Sequence, residues 1–210
     1  MTSEIEKKFQ EKRDLFIGKV DELLGYYEWD NQLIKEVESE CGFAEGYSFV
    51  LFPSGINEII TAYEDNKNVK MLKLLAASPA PAKIREKIAK ALKFRIKDCS
   101  SKAVLKKNRN FLCKPDNLCL ASKLAWQTCD SIWRYAGDNS TDFNHYSKRG
   151  LLLSVYLSSI IFYINDESVN YIETDNFIDS QLKRIINIAN FKNIIKLPKL
   201  EDIPILRLFS

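Results

Sequence analysis

The sequence predicts an all-α fold, a bundle of nine or ten helices, and three observations carry that prediction. Nearly every segment spaces its apolar residues at i, i+3, i+4 and i+7, and no run keeps the strict alternation of a half-buried strand. Helix-starting and helix-stopping residues recur at the ends of those segments. Residues 150–164 hold three serines and no charge, fenced by Lys148 and Arg149 before and Asp166 and Glu167 after. At ~1.5 Å per residue that stretch is short of the ~20 residues a bilayer span needs. A helix there is expected to be greasy on every face, and so to lie in a large core or to line an apolar cavity.

Taken in order, 5–24 places Ile5, Phe9, Phe16, Ile17, Val20, Leu23 and Leu24 on one amphipathic face, and Gly25 ends it. Asp30 is placed to cap a second helix that Cys41-Gly42 closes. Phe52-Pro53-Ser54-Gly55 reads as a turn, with Ser54 capping a helix over 56–63, and Asn66-Lys67-Asn68 reads as a break. Pro81 suits the first turn of a helix over 82–97. Ser100-Ser101 opens the next, over 102–113, and Pro115-Asp116 opens the one carrying Trp126 and Trp133. The apolar helix follows. A final amphipathic helix over 173–189 sets Phe177, Ile178, Leu182, Ile185 and Ile186 on one side. The division expected is a helix-turn-helix-like N-terminal part at 1–77, a larger bundle at 78–190 and a tail at 191–210, whose mixture of Ile, Leu and Phe with Lys and Arg suits membrane contact.

A chain of 210 residues buries a core without staples. Its cysteines, Cys41, Cys99, Cys113, Cys119 and Cys129, are odd in number and form no C-x-x-C pair, which points to a reducing compartment and away from a zinc ribbon. The first residues mix acidic and basic side chains without an apolar run, so a cytoplasmic protein is expected. Net charge is +3, yet 83–114 alone carries twelve Lys and Arg against Glu86 and Asp98. Such a segment attracts polyanions or anionic lipid, or is simply a solvated helix face.

Short helices followed by a larger bundle with a greasy interior resemble the TetR-type regulators, and that analogy supplies a rival function, a ligand-responsive DNA-binding regulator. The charge speaks against it. The stretch that would enter the major groove, 36–55, holds Glu36, Glu38, Glu40 and Glu45 and neither Lys nor Arg, which would repel phosphates.

A more specific resemblance lies in Trp133-Arg134-Tyr135-Ala136-Gly137-Asp138, Ser140-Thr141-Asp142-Phe143-Asn144 and Tyr146-Ser147-Lys148-Arg149, with Phe52-Pro53-Ser54-Gly55 in the first half. These are similar to the signature of the Coq-nine family of ubiquinone biosynthesis accessory proteins. The resemblance implies a TetR-like fold without DNA binding, a bound isoprenoid-type lipid, a homodimer, and delivery of quinone precursors to a membrane-associated hydroxylase of the ubiquinone pathway. It implies no nucleic-acid partner, and work at the inner-membrane surface. The pattern departs at one place: His145 stands where the family has Trp in its partner-binding patch, and Ser147 where it has Thr.

Single residues are then weighed. Asp138, Ser140, Thr141 and Asp142 are cap-forming types suited to the start of the apolar helix, and Asp138 or Asp142 can pair with Arg134, Lys148 or Arg149. No catalytic set is expected, and the lone His145 does not make a metal site. His145 and Tyr146, with Ile132 from the preceding helix, form a candidate patch for a protein partner, the alternative being that Tyr146 packs inward. Trp126 and Trp133, seven apart, share a face, for which core packing is the default. If the apolar helix leaves a hollow against that face, Trp126, Trp133, Leu153, Val155, Tyr156, Leu157, Ile160 and Phe162 are the expected contacts of a lipid or isoprenoid quinone precursor, held by burial at about 0.8 kcal/mol per CH₂. No other cofactor is expected.

Overall fold

The computed structural model describes residues 2–138 and 143–194, with side chains over 4–138 and 145–185. Among the described residues all regular structure is helical. Helix α1 is Thr2–Leu23, α2 Asn31–Glu40, α3 the single turn Ser48–Leu51, and α4 Ile56–Ala76. Then come α5 (Ile84–Lys93) running into a π-helical turn (Phe94–Asp98), α6 (Lys102–Leu112), α7 (Leu118–Ala136), α8 (Phe143–Asn165) and α9 (Ile172–Ile194). No described helix is long and apolar enough to cross a membrane.

Two apolar cores organise these elements. One joins Phe16 and Val20 of α1, and Leu24 just after it, to Trp29, Leu33, Val37 and Tyr63, and takes Val104 and Phe111 from α6. The other packs Leu92 and Ile96 against Cys129 and Ile132 of α7, Leu152 and Val155 of α8, and Ile178 and Leu182 of α9. Helix α4 spans both, with Ile59 and Ile60 in the first and Met71 and Leu75 in the second.

Several local expectations hold. The Asp30 carboxylate accepts from the amides of Gln32 and Leu33, and Ser101 caps α6 by accepting from Val104. Others are corrected. Gly55, at φ 65, stands at the start of α4 where a side chain would be strained, so Ser54 does not cap it; the Ser54 amide instead donates to Glu58. Asn66-Lys67-Asn68 is no break but mid-helix in α4, because Lys67 is buried against Asp21, and Asn68 accepts from Arg95 and Thr128. Pro81 lies outside the helix it was expected to open, which starts at Ile84.

The basic segment is only in part a solvated face: Lys83, Arg85, Lys106, Arg109 and Lys114 are exposed, while other cations are engaged. Arg95 is 1% exposed and paired with Glu64, Lys93 and Lys97 reach Asp179 and Asp175 of α9 at 3.0 and 2.7 Å, and Lys107 donates to the carbonyls of Gly25 and Tyr27. These four cations fasten the α5 segment to α4 and α9, and α6 to the chain between α1 and α2. The apolar helix α8 is likewise not buried all round: Ser154, Leu157, Ile161 and Asn165 form an exposed stripe at helical spacing.

Candidate functional site

Helices α6, α7 and α8 enclose an apolar trough of about 260 Å³. Leu105 and Leu112 of α6 lie seven apart, so they share a face, and that face meets Leu124 and Ala125 of α7. Tyr156 and Ile160 of α8 close the third wall. The rim is exposed: Arg109 and Cys113 stand on the α6 side, and Leu157 and Ile161, 46% and 55% exposed, on the α8 side.

The floor is polar and tied together. Glu64 accepts from Asn108 Nδ2 at 2.8 Å and from Arg95, whose Nε donates to Asn68 Oδ1 at 2.9 Å. Thr128 Oγ1 donates to the same Asn68 oxygen at 3.1 Å, and Trp29 Nε1 donates to Asn108 Oδ1 at 2.8 Å. Every partner is buried, which such a network needs, since an unpaired polar group there costs about 1–3 kcal/mol. Burial, opposed by the nearby Arg95, pushes the Tyr156 phenol up to about 12, so it stays neutral at the base of the trough.

On its opposite face α7 borders a second hollow, a polar groove of about 540 Å³ shared with α4 and the start of α8. Gln127, Asp130, Ser131 and Arg134 line it from α7, Asp65, Val69 and Leu72 from α4, and His145 from α8. Burial, and secondarily the neighbouring Glu64, raises the Asp65 carboxyl above its ordinary range. At the groove's edge Tyr146 is 63% exposed, its ring 6.3 Å from Trp126 and 5.1 Å from His145.

A buried arginine fixes this edge. Arg149 donates to Asp130 at 2.6 Å, to Asp138 at 3.1 Å and to the His145 carbonyl at 3.1 Å, while Lys148 pairs with Asp138 at 2.6 Å. Gly137, at φ 95, ends α7 in the left-handed conformation and turns the chain so that Asp138 meets these cations. The expected pairing of Asp138 with Lys148 and Arg149 is thus found. Asp130 was missed; it lies one turn before Arg134, to which it also pairs at 2.7 Å. Ser140, Thr141 and Asp142, expected to cap α8, lie outside the described residues, as do residues 195–210 of the tail.

Of the residues expected to touch a lipid, Tyr156, Leu157 and Ile160 line the trough. The other five do not. Trp126 faces the polar groove, and Trp133 packs on the core with its Nε1 donating to the Lys148 carbonyl. Val155 is buried in the core, Leu153 packs against it, and Phe162 stacks on Phe177 of α9 at 4.4 Å between centroids. Ile132 is 0% exposed within the core, so it is no part of a partner patch. The walls contributed by α6 and by Leu124 and Ala125 were missed; their signal was the i, i+7 pair Leu105 and Leu112 within an otherwise basic helix.

Among the described residues no group of three or more His, Cys, Asp or Glu could hold a metal. Burial pushes the Cys129 thiol up to about 12, so it is no thiolate at neutral pH.

Comparison with known proteins bears out the Coq-nine resemblance. Residues 118–189, which take in α7, α8 and most of α9, match the family COQ9. Over 183 residues, 81% of the chain, it is 28% identical to the probable ubiquinone biosynthesis protein coq9, mitochondrial, of Dictyostelium discoideum. Over 87 residues, 41% of the chain, it is 30% identical to the ubiquinone biosynthesis protein COQ9, mitochondrial, of Rattus norvegicus and 29% to that of Homo sapiens. The matches span 58% of the Dictyostelium protein's length, 28% of the rat protein's and 27% of the human protein's.

Proposed function

For a chain whose residues 118–189 match the COQ9 family, we propose a role in ubiquinone biosynthesis as a non-enzymatic lipid-binding protein. The chain shelters the isoprenoid tail of a quinone precursor and presents it to a hydroxylase of the pathway at an inner-membrane surface. The observation that carries this reading is the trough between α6, α7 and α8, walled by carbon and open at Leu157 and Ile161. A long apolar tail does not leave a bilayer unless another apolar surface replaces it, at about 0.8 kcal/mol per CH₂. No polar motif is needed for that grip. The edge at His145 and Tyr146 is the docking point for the hydroxylase, since an exposed tyrosine beside the Arg149–Asp130 pair at the start of α8 is the kind of anchor that protein interfaces use. A homodimer belongs to the same proposal, on the strength of the family resemblance.

The test is organic extraction of the purified chain followed by mass spectrometry. The expected result is a quinone-like or phospholipid species from the native chain and its loss from Ala125→Trp, which fills the trough. Clean protein from the native chain, or equal recovery from the filled variant, would sink the reading.

A further inference from the structure

The two ends of the trough carry different charge, and the difference gives a bound molecule a direction. At the floor every charge is already matched: Glu64 Oε1 accepts from Asn108, Oε2 accepts from Arg95, and Arg95 is held between Glu64 and Asn68. An acid group driven to that depth would be stripped of water beside a carboxylate, with no cation left to receive it. The walls above are Leu105, Leu112, Leu124 and Ile160. At the rim stands Arg109, exposed, with a weak 3.4 Å contact to the Asn110 amide oxygen and, among the described residues, no carboxylate within ion-pair reach. Lys106, also exposed, precedes it by three residues on the same helix face.

We propose that the trough takes a single-chain anionic amphiphile tail first and holds its acid group at the rim on Arg109. This rests on the reading of the trough as a tail site. Its volume of about 260 Å³ lies just below the ~300 Å³ at which drug-sized pockets begin, which suits one hydrocarbon chain. Carboxylates and phosphate monoesters share the chemistry Arg109 recognises, a planar fork of donors facing anionic oxygens.

The test is titration calorimetry of the full chain with oleate, oleyl phosphate and oleyl alcohol, each below its micelle concentration. Both anions are expected to bind about five-fold tighter than the alcohol at low ionic strength, the size of one well-placed exposed charge pair, with the gap closing in salt. Arg109→Glu brings the ratio of anion to alcohol affinity to one or below; thermal melting checks that this exposed substitution leaves the fold intact. Tighter binding of oleyl phosphate than oleate assigns the rim to a phosphate monoester, and the reverse to a carboxylate; either supports the proposal. No preference for anions in the native chain, or a preference that survives Arg109→Glu, overturns the orientation and leaves the tail site standing. Failure of all three to bind, or binding that neither Ala125→Trp nor the rim variant Leu157→Gln weakens, removes the tail site and this inference with it.

Discussion

Helix α7 separates two hollows that differ in kind. Toward α6 and α8 it shows Leu124, Ala125 and Thr128 to an apolar trough; toward α4 it shows Gln127, Asp130, Ser131 and Arg134 to a polar groove. The residues alternate along one sequence, and the 3.6-residue turn sorts them onto opposite faces. The trough grips by excluding water, which is strong and blind to chemical detail. The groove offers donors, acceptors and an exposed aromatic edge, which suits recognition of a surface. On the proposed function, holding a tail and meeting a partner fall on different faces of one helix, and each is expected to be disturbed without the other.

The largest expected effect tests whether the trough is dry to its floor. Arg95→Met leaves Glu64 buried without its cation and is expected to cost about 3–5 kcal/mol in urea denaturation. A loss below about 1 kcal/mol would mean that water reaches Glu64, and the contrast between the two hollows would then be one of shape alone.

That floor also shows how far local pattern reaches. The all-α architecture and the Asp30 and Ser101 caps were legible because they depend on neighbours within one turn. Asn66-Lys67-Asn68 was not, because the partners that keep it helical lie 46 residues from Lys67 and 27 and 60 from Asn68. The trough was half legible. The apolar composition of α8 announced a hollow, but spacing alone did not say which face of it would meet α6, and Leu105 and Leu112 were hidden among lysines.

A smaller effect comes where α8 hands over to α9. The Asp166 carbonyl accepts from Lys102, which ties this joint to the start of α6. Burial pulls the Asp166 carboxyl upward, but hydrogen bonds from Ser168 and Thr174 outweigh it and hold the group well below the usual carboxylate range. A carboxyl depressed in the folded state stabilises the fold above its unfolded value of about 3.9 and loses that contribution as pH falls through the folded value. Asp166→Ala is therefore expected to cost about 1–2 kcal/mol at pH 7, with the gap between variant and native chain narrowing below about pH 4. A gap that stays constant down to pH 2 would show that the carboxylate's charge plays no part.

The smallest effect on stability bears most directly on the division of labour. Tyr146 is 63% exposed and rests on Trp126 and His145 rather than in the core, so Tyr146→Ala is expected to change stability by under about 1 kcal/mol. Tyr146 takes no part in the pairs of Arg149 with Asp130 and Asp138, so these are expected to persist in that variant. In a pull-down with the pathway hydroxylase, Tyr146→Ala is expected to lose capture while keeping its extractable lipid, and Ala125→Trp to lose lipid while keeping capture. His145→Trp introduces the aromatic pair that the Coq-nine resemblance implies at this edge and is expected to strengthen capture. If Tyr146→Ala and Ala125→Trp each moved both readouts together, the two faces of α7 would not be separate sites, and the hydroxylase would have to read the occupied trough itself.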